Sequence, residues 1–354
     1  MRRQTIHNVQ LLRFLAAGGV ALSHVADLLV PNSPTNQWFW SIPWTAGVDL
    51  FFVISGFIMA LLTHEHFGFP GAGIEFLKRR IIRIVPAYWF FTTLTIIAVL
   101  ILGGRVRGTT IDLFQIVTSY CFIPWPRADG NINPILAQGW TLNYEAFFYV
   151  SLAIAMLIRR GLLALCIVFL LLALAHYFIP PEMFMARFWS NPIILEFLGG
   201  VLLAKIYLSG YRLPHWGSWV CAALAVTVFI LTGYVNWENL SRAIGWGIPA
   251  LFLSASLILS PEPKRLGSFR RIVQRGGDAS YTIYLAHYMI IHVVVFIWQI
   301  FNLQAPWVGV AAAMFITIGA SIIFFEIVEG PVTVSLQRRF GKSQSQTIGS
   351  AGAP

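Results

Sequence analysis

The chain has 354 residues, 57% of them hydrophobic and only 11% charged, with a mean hydropathy of +0.73. Soluble globular domains carry roughly 25% charged residues, so this composition excludes a soluble domain and implies an all-α integral membrane protein. A formal charge of +10 would suit a nucleic-acid partner in a soluble chain; here membrane topology accounts for it, and no nucleic acid is expected.

Apolar runs of spanning length fall at residues 8–29, 45–63, 81–103, 139–158, 162–179, 191–209, 216–234, 243–260, 279–301 and 307–328. The reading is about ten transmembrane helices in one domain, 1–335, with a short polar tail, 336–354, expected to be disordered. With both termini in the cytoplasm, the inner segments hold nineteen of the twenty-four Lys and Arg, and the outer ones only Arg105, Arg107, Arg127, Arg187 and Arg242. The positive-inside rule fixes that orientation. The first apolar run is too long for a cleaved leader and has no small-residue cleavage site, so it is expected to stay as the first span. Neither a short repeat nor inverted halves are evident. Cys121, Cys166 and Cys221 lack metal-ligand or redox spacing, and His64, His66, His176 and His215 form no zinc pattern. No metal is expected.

Along the chain, ionisable residues interrupt the apolar runs at particular places. In the first span, Arg13 and His24 stand eleven residues apart, close to three turns, on nearly one face and roughly 16 Å apart along the axis. An Arg facing lipid at mid-membrane costs about 2.5–3.5 kcal/mol, so such residues normally face protein or a wet cavity. Asp49, in GVDLFFVISGF, and Glu196, in ILEFLGG, lie on the outer side, near the surface. At the inner start of the third span, FLKRRIIRIVPAYW places Arg79, Arg80 and Arg83 within one turn, where two of them can converge on one anion. Pro86 removes a backbone donor there and predicts a kink.

The outer stretch 104–138 contains IPWPRADGNINP and reads as a turn-rich cap or re-entrant piece rather than another helix. In GWTLNYEAFFY, Glu145 lies at a depth like that of His24, placed to orient the imidazole, bind a substrate hydroxyl or neutralise an arginine. Residues 261–278 form a strongly basic inner segment, and GDASYTIYLAH then puts Ser280, Tyr284 and His287 on one helix face. His292, Asp278, Glu326 and Glu329 complete the ionisable set. Cations at the inner face, a histidine and carboxylates nearer the outer face, and a path between them suit a transfer across the membrane from a phosphorylated donor.

In their order along the chain, the Arg-x10-His of the first span, GVDLFFVISGF, RRIIRIVP, GWTLNYEAFFY, LEFLGG, GDASYTIYLAH and the closing EGP resemble the membrane-bound acyltransferase-3 family, most closely its exopolysaccharide branch. The resemblance runs from about residue 7 to 335. It implies a ten-span enzyme of the bacterial cytoplasmic membrane. Such an enzyme takes an acyl group, usually acetyl, from cytoplasmic acyl-CoA and places it on a hydroxyl of an exopolysaccharide or lipid-linked glycan. By the same resemblance His24 is the catalytic histidine, with Arg13 and Glu145 beside it. Arg79, Arg80, Arg83, Tyr284 and His287 are assigned to acyl-CoA, and Asp49, Glu196 and Glu329 to support. Acetyl-CoA is a substrate, with no permanent cofactor implied; homo-oligomerisation is left open. Either His24 acts as general base on the sugar hydroxyl, the favoured route, or it attacks the thioester to give an acetyl-imidazole. A transporter or flippase for an anionic glycan would use the same buried charges and is the competing class.

Overall fold

In lipid a backbone must satisfy its own polar groups, and a helix does so within one segment. The computed structural model, which describes residues 6–102, 112–126, 130, 132–234, 242–262 and 267–340, places a helix in each of the ten apolar stretches and no strand among the described residues. In chain order the α-helices are α1 His7–Leu29, α2 Gln37–Trp40, α3 Gly47–Thr63, α4 Ala72–Leu102 and α5 Leu113–Tyr120. They continue as α6 Gly139–Ala155, α7 Gly161–Ala175, α8 Phe184–Trp189, α9 Leu195–Leu208 and α10 His215–Tyr234. The last are α11 Ile248–Ile258, α12 Ser268–Asp278, α13 Ser280–Ile300, α14 Pro306–Phe324 and α15 Gly330–Phe340. Two π-helical turns, Ala243–Gly247 and Phe325–Glu329, lead into α11 and α15.

Among the described residues eight helices are long and apolar enough to cross a membrane. The two other predicted stretches hold α6, with 17 residues, and the shorter apolar helix Ala243–Ile258.

Several boundaries differ from the sequence reading. The third span begins at Ala72 rather than 81, because Glu75 and Arg79 pair at i, i+4 on its exposed face and extend the helix toward the aqueous side. It also continues through Pro86 as one helix. The outer stretch 104–138 contains a helix, α5, capped by the Asp112 carboxylate, which accepts from the Gln115 amide. It is tied to α4 by the Tyr88 hydroxyl, which donates to the Ser119 carbonyl at 3.0 Å. Residues 103–111, 127–129 and 131 of that stretch lie outside the described residues. The last helix reaches Phe340, so the tail's first residues are helical, and 341–354 fall outside the described residues.

Helix α1 is the hub, packed against α3, α12, α13 and α14. Its N-terminal end is strapped to the basic segment 261–278: the His7 amide donates to Glu262 Oε2 at 3.1 Å, and His7 Nδ1 meets Gln274 Oε1 at 2.8 Å. Helices α3 and α9 approach most closely where Gly56 faces the Phe197 carbonyl and Gly200 faces the Val53 carbonyl. A methyl group at either position would collide with backbone, which is how small residues let membrane helices touch. The resulting core is aromatic, with Phe148 stacked on Phe197 at 4.4 Å.

Candidate active site

Between these helices lies a cavity of about 220 Å³. Arg13 from α1 and Arg80 and Arg83 from α4 line it together with Ser55 from α3, Glu145 and Tyr149 from α6, and Ser280, Tyr281 and Tyr284 from α13. Three guanidinium groups thus face one carboxylate. The helical period explains the set, since Arg80 and Arg83, Glu145 and Tyr149, and Ser280 and Tyr284 are each spaced three or four residues apart.

Glu145 is held by hydroxyls. Ser55 Oγ donates to its Oε1 at 2.9 Å, the Tyr149 hydroxyl donates to the same oxygen, and Ser55 and Tyr149 are 3.1 Å apart. Glu145 is half-buried, and these hydroxyls come to it from two different helices. The Tyr284 hydroxyl lies 2.9 Å from Thr141 Oγ1 and donates to the Gln138 carbonyl at 3.2 Å. Tyr281 donates to the Ile84 carbonyl at 2.9 Å. Ser280 Oγ is buried with no hydrogen-bond partner among the described residues.

The arginines differ. Arg13 makes one hydrogen bond among the described residues, a long one from Nη1 to Gln10 Oε1 at 3.5 Å. Arg83 Nη1 sits 2.9 Å from Glu329 Oε1, while the Thr282 hydroxyl donates to Glu329 Oε2. Arg79 pairs with Glu75 at 2.9 Å on the exposed face and is not part of the cavity lining, so it stands apart from Arg80 and Arg83. Just below, outside the spans, burial pushes the Asp278 carboxyl above its ordinary range, against the pull of Arg13, Arg83 and His7.

His24 is not among the cavity-lining residues, although it shares α1 with Arg13. Its ring stacks on His287, with centroids 5.2 Å apart, and meets the edge of Tyr288. Its Nδ1 lies 3.8 Å from Asp27 Oδ2. Glu145 therefore does not orient the imidazole. It reaches hydroxyls instead, and the nearby carboxylate is one turn along α1.

His287 is 1% exposed. Its Nδ1 faces the Tyr284 carbonyl at 2.8 Å and the Ile283 carbonyl at 3.2 Å, so that nitrogen carries the proton and Nε2 is left as an acceptor. Nε2 has no partner among the described residues. Of the face Ser280, Tyr284 and His287, the first two line the cavity and the third faces His24.

Asp49 and Glu196 lie deeper than the sequence reading put them. Asp49 is fully buried and takes two hydrogen bonds from Arg242, 3.0 Å from Nε and 2.8 Å from Nη2. Glu196 is buried at the closely packed α3–α9 contact, with Gly247 against its side chain. Sequence reasoning missed Ser55 and Tyr149. The i, i+4 spacing of Glu145 and Tyr149 was the available signal for the second, whereas Ser55 reaches Glu145 only by the pairing of two helices distant in sequence.

A family model described as an acyltransferase domain matches residues 6–326. The exopolysaccharide production protein ExoZ of Rhizobium meliloti (strain 1021) is 32% identical over 312 residues, 87% of this chain and 93% of its own. Nodulation protein 10 of Rhizobium leguminosarum bv. viciae is 28% identical over 335 residues, 86% of this chain and 85% of its own. No solved structure matches the chain.

Proposed function

The chain belongs to the membrane acyltransferase-3 family, and from that premise we propose that it moves an acetyl group from cytoplasmic acetyl-CoA to a hydroxyl of an exopolysaccharide or lipid-linked glycan, at a bacterial cytoplasmic membrane. The observation that carries this reading is the convergence of Arg13, Arg80 and Arg83 with Glu145 and Tyr284 on one cavity. Guanidinium groups pair with phosphate in two-pronged fashion, and the inner end of this cavity is the side from which a phosphorylated donor comes. The similarity to an exopolysaccharide production protein supports a glycan as acceptor.

A thioester is already activated, so the reaction needs a base for the incoming hydroxyl and donors for the oxyanion. The sugar oxygen attacks the thioester carbonyl carbon while its proton passes to the base, which we assign to His24. The tetrahedral intermediate collapses with loss of the C–S bond, and the proton returns to the departing thiolate. Tyr284 stands between the two places: it lines the cavity, and its ring centroid is 6.0 Å from that of His287, which in turn stacks on His24. The thioester carbonyl belongs at the Tyr284 end, and the hydroxyl between it and the imidazole pair.

The test is thiol release by purified protein in detergent. Free CoA should appear from acetyl-CoA only when glycan is added, and a folded His24→Ala protein should release none. Glycan movement across vesicles with no thiol released would overturn the reading in favour of a transporter.

A further inference from the structure

Beside the cavity lies a second constellation, none of whose four residues is part of the cavity lining. Arg242 uses Nε and Nη2 on Asp49, and its side chain stays 32% exposed. Its Cζ lies 4.5 Å from the ring centroid of Trp246 and 5.6 Å from that of Trp140. Nη1 makes no hydrogen bond among the described residues. The π-helical turn Ala243–Gly247 carries Trp246 back beside Arg242; single π-turns of this kind are frequent at functional sites. Tryptophans near a span end ordinarily anchor in the lipid interface. These two instead face one guanidinium and are half-buried.

The constellation adjoins the cavity. Thr141 and Leu142, which follow Trp140, and Val48, which precedes Asp49, all line it. From this geometry we infer a sugar-binding subsite made by Trp246, Trp140 and Arg242, with Asp49 as the group that holds the arginine. A pyranose ring lies with its apolar face on an indole, and its hydroxyl oxygens accept from Nη1. Aromatic side chains suit this task because they join a large flat contact to a neighbouring polar group. The guanidinium charge is already matched by Asp49, so the ligand it selects is a neutral sugar. The inference rests on the glycan-acceptor reading above and names where that acceptor is held.

Two measurements test it. In the first, purified wild type, Trp246→Ala and Trp140→Ala are titrated with neutral oligosaccharides of glucose, galactose and mannose, and tryptophan fluorescence is followed. Wild type should bind at least one of them, and Trp246→Ala should bind it at least tenfold more weakly. No response in wild type to any of the three, or equal affinity in both folded variants, overturns the subsite. In the second, the steady-state kinetics of Trp246→Ala should show acceptor KM raised about tenfold with donor KM unchanged. A rise in donor KM alone also overturns it. Oligosaccharide binding that is lost in Trp246→Ala, in a protein that transfers no acetyl group, would leave the subsite standing and remove the transferase reading.

Discussion

His24 of α1 and His287 of α13 stack with their planes 23° apart, and the protein fixes the proton position of only one. His287 is pinned by two backbone carbonyls, whereas His24 has a carboxylate 3.8 Å away, beyond hydrogen-bonding distance. A base must change its protonation state on each turnover, so the less constrained ring suits that task and the pinned ring suits holding it in place.

Substitutions at His287 should follow from that division. The amide of His287→Asn reaches the position of Nδ1 and can still donate to the Tyr284 carbonyl, while His287→Gln places its amide nearer Nε2. We expect kcat of the Asn variant to exceed that of the Gln variant, with His24→Ala lower than either by about 100-fold or more. Higher kcat in the Gln variant would assign the chemistry to Nε2 of His287.

Arg83 and Glu329 give an opposed pair of donor effects. Under the proposed donor-binding role, Arg83→Ala should raise donor KM about tenfold or more through loss of a two-pronged phosphate contact. Glu329→Gln should lower it, because Arg83 then has no competing carboxylate at 2.9 Å. Arg79→Ala should leave donor KM nearly unchanged, its partner Glu75 being a surface ion pair. Initial rates across a donor series would settle all three.

Two glycines should respond oppositely to the same methyl group. At Gly200 a Cβ would collide with the Val53 carbonyl and the Phe57 amide, whereas at Gly18 nothing lies within 4 Å. Gly200→Ala should destabilise by about 1–3 kcal/mol and lower Tm in detergent. Gly18→Ala should be neutral or slightly stabilising, as alanine is the better helix former. A fall in Tm at Gly18 as large as that at Gly200 would contradict the close α3–α9 contact.

Asp278 should make stability depend on pH. Burial raises its carboxyl in the folded protein, so the folded state holds the proton more tightly than the unfolded one. The contribution is fully present below the unfolded carboxylate range and is lost as pH rises through the folded value. Asp278→Asn removes this loss and should raise Tm relative to wild type at pH 7, with the difference shrinking toward pH 4. A difference that grows on acidification would reverse the assignment.

The helical membrane architecture was legible because hydropathy and charge asymmetry act on each segment by itself. The convergence of Arg80, Arg83 and Glu145 was half legible, since intrahelical spacing shows which residues share a face but not which face meets which. Arg13 and His24 show the limit. Three turns on one face put both toward the protein, yet the cavity lining includes Arg13 and not His24, whose ring stacks on His287 from α13. Ser55 was invisible for the same reason. Asp49 was read as near the surface from its position at a span end, and its two hydrogen bonds from Arg242, 193 residues away, could not be foreseen from that position.

A polar cavity between membrane helices is a hazard where the membrane stores energy as an ion gradient. The cavity lining carries Arg13, Arg80 and Arg83 against Glu145, and Arg83 also pairs with Glu329, which leaves an excess of one positive charge. At roughly 8 Å and an effective dielectric constant of about 20, that excess repels a monovalent cation by about 2 kcal/mol. Fixed positive charge excludes protons and cations from water-conducting pores in the same way. The guanidiniums that would draw in an anionic donor would therefore also oppose proton conduction through the cavity.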